Sequence, residues 1–122
     1  MVELDSGIIK LHQVDSEKLN SVVEKLLLPD EEVVGVYKTV RDSVVFTDRR
    51  IIATDVKGAG KKTDVTSIPY RQINKFSVQT SGILDVDSEL EIHLICGETL
   101  HFEFMGTKAV FDVGQALAKF SL

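Results

Sequence analysis

The chain has little of what usually announces chemistry in a sequence. Among its 122 residues there is one cysteine, Cys96. A single thiol excludes an internal disulfide and a cysteine-built zinc cluster, and nothing points to an oxidising compartment, so the expected location is the cytoplasm. No apolar run approaches the roughly 18 residues that cross a bilayer. Long polar and low-complexity tracts are missing, and 43% of the chain is hydrophobic, so disorder is not expected. The acidic start, Met1-Val2-Glu3-Leu4-Asp5, does not read as a secretory or transit peptide.

Catalytic and metal signatures are equally scarce. Gly58-Ala59-Gly60-Lys61-Lys62-Thr63 has the look of the end of a P-loop. The full pattern needs glycine at 55 and Ser or Thr at 62, where the chain has Asp55 and Lys62. The segment also runs into a strand rather than a helix, so it reads as a hairpin tip with glycines supplying positive φ. Asp85-Val86-Asp87-Ser88-Glu89 opens like a calcium loop, but Leu90 and Cys96 stand where glycine and glutamate are required. Cys96 has no general base paired with it in sequence, and no Ser/His/Asp order or carboxylate pair emerges. The expectation is a protein that is not an enzyme, with no cofactor and no metal.

What is present is a chain of short strands. Residues 15 to 27 read as an amphipathic helix, with Asp15 as its cap, Leu19, Val22, Val23 and Leu26 as its apolar stripe, and Pro29 as its stop. Before it, Ile8, Ile9 and Leu11 read as an arm that packs on a surface, either of its own chain or of another. After Pro29 the period becomes two. Strands are expected over residues 33–40, 43–47, 50–56, 63–68, 74–80, 89–95 and 98–104. Pro69 ends the fourth, because proline cannot donate to a ladder. In the last hairpin, Leu90, Ile92 and Leu94 face inward with Leu100, Phe102 and Phe104 only if the loop has an odd number of residues. Ile95-Cys96-Gly97 supplies three, with glycine in the left-handed position. His93, His101, Glu91 and Glu103 then share the outer face, where a divalent metal is conceivable and a plain surface is the simpler reading. A closing helix, residues 107 to 120, carries Val110, Val113, Leu117 and Phe120 on one stripe. Gly114 inside it costs about 1 kcal/mol of propensity, which suggests close approach to the sheet.

Seven antiparallel strands and one terminal helix make a mainly β fold, a partly open barrel or sandwich with a helix at one end. Residues 1–30 are the N-terminal arm and helix, and 31–122 the main domain. The order Arg41-Asp42, Val45-Phe46-Thr47-Asp48-Arg49-Arg50, Gly60-Lys61-Lys62, Ser67-Ile68-Pro69-Tyr70, Ile73, then Gly82 with Asp85, Asp87, Glu89 and Leu90 resembles the bacterial pleckstrin-homology (PH) family of small single-domain proteins. The likeness covers about residues 28 to 95 and extends to the flanking helices. It implies a PH-like barrel, a non-enzymatic role and a tendency to form symmetric rings. Eukaryotic PH domains bind phosphoinositides through a long basic loop between their first two strands. Here that loop is short, flanked only by Lys38 and Arg41, which argues against an inositol phosphate.

Charge is unevenly spread. The net value is −5, which argues against nucleic acid. Residues 38 to 75 hold nine basic and four acidic side chains, a balance of +5, and the rest of the chain carries −10. Such a split suits electrostatic docking, although charges of this kind also simply solvate loop tips. Strands such as Val44-Val45-Phe46 and Ile51-Ile52 are apolar on both sides, so their outer face must be covered too, in part by the N-terminal helix and for the rest by a neighbouring subunit. The expected assembly is a cyclic homo-oligomer in which Arg41, Arg49, Arg50, Lys61 and Lys62 of one copy face Asp85, Asp87 and Glu89 of the next. A protein segment added to an exposed sheet edge is the second expected partner. The alternative is an anionic ligand or membrane surface met by the basic loops. It is less favoured, because a chain of net −5 is repelled elsewhere on its surface.

Overall fold

The computed structural model describes residues 8–57, 62–80 and 86–121. The glycine–lysine tip at 58–61, and Gly82 with Asp85, lie outside them. Among the described residues, eight strands follow the sequence: β1 (Ile8–Val14), β2 (Val33–Lys38), β3 (Ser43–Thr47), β4 (Arg50–Lys57), β5 (Lys62–Pro69), β6 (Ile73–Thr80), β7 (Asp87–Leu94) and β8 (Thr99–Met105). Two α-helices accompany them, α1 (Ser21–Leu26) and α2 (Lys108–Ser121). All strands belong to one sheet in the order β5-β4-β3-β2-β1-β8-β7-β6. One core cluster joins Ile51 and Ile68 from one half of that sheet to Leu90, Ile92 and Phe104 from the other, so the sheet curls around it. β5 and β6 are its two edges, yet only the 3-10 turn Tyr70–Gln72 separates them in the chain.

The seven expected strands are all present, and β1 is the eighth. Of the two surfaces left open for the N-terminal arm, it packs on its own chain, and as a strand. β1 pairs antiparallel with β2 and parallel with β8, and so joins the two halves of the sheet. Its register shifts between Ile8 and Leu11, where Lys10 takes φ 59°. That bulge turns Leu11 into the core, where it is fully buried. The alternation of a strand tells which face is apolar but not which strands lie beside it, so this placement was not readable from the sequence.

The N-terminal helix is also shorter than expected. Residues 16–18 form a 3-10 turn, Leu19 and Asn20 are extended, and α1 starts only at Ser21. Asn20 is its cap, accepting the Val22 N–H through Oδ1 at 2.8 Å, whereas Asp15 makes no capping bond. The stripe shifts accordingly. Val23 is fully buried, Leu19 and Leu27 pack beside it, and Val22 and Leu26 are exposed.

α1 accounts for the strands that are apolar on both sides. Val44, Phe46 and Ile51 enter the inner core. Val36, Val45 and Ile52 point outward and form a second cluster with Val23 of α1. All four are at most 1% exposed within a single chain. These outer residues are therefore covered without a neighbouring subunit.

The last hairpin has the expected register. Leu90 lies opposite Phe102 and Ile92 opposite Leu100. The Leu94 N–H bonds to Glu98 O at 2.9 Å around the three-residue loop, and Gly97 has φ 102°. α2 buries Val110, Val113 and Leu117 completely, with Phe120 packed against the same core. Gly114 differs from expectation. A Cβ built there would meet Val78 Cγ2 at 3.6 Å, an ordinary contact, so packing does not demand glycine.

Candidate interaction surfaces

Thr47 ends β3 and organises the turn into β4. Its Oγ1 accepts the N–H groups of Arg49 and Arg50, both at 3.0 Å. The same hydroxyl donates to Glu31 Oε2 at 2.7 Å. The Tyr70 hydroxyl donates to Thr47 O at 2.5 Å, and the Tyr70 N–H to Arg49 O at 3.2 Å, which fixes the link between the sheet edges against this turn. Burial of Tyr70 pushes its phenol well above the ordinary range. The run Thr47-Asp48-Arg49-Arg50, which carried the family resemblance, is thus a structural knot.

Arg50 is the centre of that knot. Its Nε and Nη2 reach both oxygens of Glu31, at 2.9 and 2.8 Å. Nη2 also donates to Leu26 O at the end of α1, at 2.7 Å, and Nη1 to Ser67 Oγ on β5, at 3.0 Å. Glu31 receives the Leu28 N–H as well, at 3.1 Å. Its side chain is 0% exposed. The Arg50 hydrogen bonds, with help from Thr47 and the Leu28 N–H, overcome the desolvation of the carboxyl and hold its pKa down at about 2. Sequence reading missed Glu31. In Pro29-Asp30-Glu31-Glu32 it looks like one more solvated acid after a helix stop, and no local pattern marks it.

The basic residues do not gather into one patch. Arg49 sits beside Arg50 at the β3–β4 turn, where its Nη2 bonds to Asp30 Oδ2 at 2.7 Å. Lys62 opens β5 opposite Lys57, at the other end of β4. Those ends are about 23 Å apart along the strand. Arg41 is exposed at the β2–β3 turn, on the Lys62 end, beside Asp42. Asp42 is raised by burial and then by the nearby Asp55 carboxylate, so that end is mixed in charge. Lys61 and Asp85 fall outside the described residues. Asp87 is exposed at the start of β7, and Glu89 is half-buried two residues on.

The outer face of β6–β8 is polar. His93 Nε2 lies 2.8 Å from Glu91 Oε1, and its Nδ1 lies 3.3 Å from Thr99 Oγ1. His101 stands between Glu89 (3.5 Å) and Glu91 (3.8 Å), and Glu103 is opposite Glu89. The pairing that the hairpin register implied is therefore present, with each histidine held by carboxylates of its own face. Among the described residues, no group of three or more His, Cys, Asp or Glu is placed to hold a metal ion. A shallow cavity of about 170 Å³ next to this face is lined by Gln79, Thr80, Asp87, Ser88, Glu89 and Glu103.

The topology, one curled sheet with a helix at its end, is that of a PH-like half-barrel, and a model described as the bacterial PH domain matches residues 3–121. The chain belongs to the bacterial PH domain family. This bacterial PH domain protein is 43% identical over 96 residues to the uncharacterized protein YjqA of Bacillus subtilis, covering 76% of this chain and 77% of the other. A crystal structure of a pleckstrin-homology protein from Shewanella loihica, of the duf1696 family, superposes with a TM-score of 0.78 at 32% identity, over 93% of this chain and 99% of that one. A second, a PH domain from Shewanella amazonensis, gives 0.66 at 37% identity, over 89% and 90%. Both the family and the fold expected from the sequence are shown by these matches. Among the described residues, no helix of this PH domain protein is long and apolar enough to cross a membrane.

Proposed function

We propose that this chain is a non-enzymatic, cytoplasmic interaction module that assembles with copies of itself into a closed ring and offers the assembly to a protein partner. One observation carries the reading. The curled sheet ends in two different strands, β5 and β6, and neither has a strand on its outer side among the described residues. Such edges present unpaired backbone groups that favour pairing with another chain. Because the edges differ, β5 of one copy meets β6 of the next head to tail, and a repeated heterologous contact closes a ring when its rotation allows. Any edge left open takes a protein segment by strand addition.

Charge supports the same arrangement in a reduced form. Arg49 and Lys62 lie at the two ends of the β5 side, and Arg41 lies near Lys62. Asp87 and Glu89 lie on the β6–β7 side, next to the acidic cavity. Arg50 is withdrawn from the docking set, because Nε, Nη1 and Nη2 all have acceptors within its own chain. The separation of Arg49 from Lys62 by the length of β4 suits an edge contact better than a flat anionic membrane.

Light scattering coupled to size exclusion, on the untagged protein, tests the reading. A discrete mass several times 13.5 kDa supports it. A monomer across the concentration range removes the ring and leaves the edges to a hetero-partner.

A further inference from the structure

We propose that a cleft at the C-terminal end of α1 binds a small organic acid, a single carboxylate carried on an apolar stem. The cleft, of about 260 Å³, is lined by Leu26, Leu28, Arg49, Arg50, Pro69 and Arg71. Three segments build it: the residues that end α1, the β3–β4 turn, and the passage from β5 into the 3-10 turn Tyr70–Gln72. The Arg50–Glu31 pair, with its bonds to Leu26 O and Ser67 Oγ, holds these segments together, so the cleft rests on a fixed base.

The apolar wall is Leu26, Leu28 and Pro69. The two leucines are 46% and 48% exposed. A single exposed leucine is ordinary. Two on one concave site, beside a proline, form a surface that a hydrocarbon stem would dry.

Accounting for the arginines gives the other half of the ligand. Arg50 is fully engaged and only shapes the floor. Arg49 gives Nη2 to Asp30, and its Nε and Nη1 have no acceptor among the described residues. Arg71 is exposed and makes no hydrogen bond or ion pair among the described residues. Guanidinium forks next to an apolar wall match a planar carboxylate on an aliphatic or aromatic chain. Asp30 and Asp48 stand close to Arg49. They disfavour a multiply charged group such as a phosphate monoester and leave the monoanion as the better fit. The cleft, at about 260 Å³, lies just below the roughly 300 Å³ at which ordinary ligand pockets start, so its occupant is a small molecule. The site is complete within one chain; it shares Arg49 with the proposed ring contact, and Arg71→Gln, which leaves that contact untouched, separates the two readings.

The probe is octanoate, titrated into the untagged protein and followed by amide NMR shifts and calorimetry, with acetate and octanol as controls. Saturable shifts at residues 26–28 and 69–71 are expected, with acetate and octanol each binding at least about tenfold more weakly, because each lacks one half of the recognition. Arg71→Gln should weaken octanoate about tenfold while the rest of the spectrum stays put. Leu28→Ser, also at an exposed side chain, should weaken octanoate but not acetate. The proposal is overturned if octanol binds as well as octanoate, if Arg71→Gln changes nothing, or if the shifts map elsewhere. Binding seen only with vesicles of anionic phospholipid also overturns it, in favour of a membrane surface.

Discussion

Arg50 and Glu31 form a two-point ion pair, at 2.8 and 2.9 Å, that ties the end of the N-terminal helix to the sheet. The Glu31 side chain is inaccessible to solvent, while that of Arg50 is 19% exposed. Removing one member of such a pair leaves the other buried and uncompensated, a cost of about 3–5 kcal/mol. Arg50→Ala should show a loss of that order in urea unfolding. Arg50→Glu, which sets a second carboxylate against Glu31, should not yield a folded protein. Arg49→Glu should leave the unfolding curve essentially unchanged, since its pair with Asp30 is exposed. Arg49→Glu is therefore the fair charge-reversal test of assembly. A lowered mass at low salt, with the unfolding curve unchanged, is the result expected of an Arg49 contact between subunits.

The same pair sets a pH dependence. The Glu31 carboxyl has an ordinary value of 4.5 and is held at about 2 in the folded chain, first by the Arg50 hydrogen bonds. A lowered carboxyl stabilises the fold fully above the unfolded value and loses that contribution as pH falls through the folded one. Stability of about 3 kcal/mol should therefore fade between about pH 4.5 and pH 2. Glu31→Gln should flatten the unfolding free energy over that window. Parallel acid losses in wild type and variant would assign the effect to other carboxyls.

Two glycines should respond in opposite directions. At Gly114, alanine meets only ordinary contact and gains helix propensity, so Gly114→Ala should stabilise by about 0.5–1 kcal/mol. At Gly35, a Cβ would lie 2.7 Å from the hydroxyl oxygen of Tyr37 and 2.9 Å from its Cε2. The Tyr37 ring is wedged edge-on against Phe46 and Phe104, at 5.8 and 5.1 Å between centroids, and cannot easily move. Gly35→Ala should cost about 1–3 kcal/mol. Thermal unfolding of both variants decides the pair.

Tyr70 and Thr47 should share a loss. Tyr70→Phe removes the hydroxyl bonded to Thr47 O and should cost about 1 kcal/mol. Thr47→Val removes the hydroxyl that serves Arg49, Arg50 and Glu31, and should cost more, about 2–3 kcal/mol. Denaturant curves on each variant check the ranking.

The sequence by itself determined the strands, the closing helix and the register of the last hairpin. Those features depend on neighbours in the chain. Side-chain parity with a period of two, a glycine at position 97 and the stripe Val110, Val113 and Leu117 each state their geometry within a few residues. Even the doubly apolar strands were legible as strands with both faces covered. Only the tertiary structure decided what covers them. The N-terminal helix does so with Val23, and β1 enters between β2 and β8 rather than reaching for another chain. It also decided that Arg50 belongs to Glu31, and that Arg49 and Lys62 stand at opposite ends of a strand. A charge or an apolar residue in a sequence declares that it needs a partner. Which group meets that need depends on how distant segments pack, and that information is not local.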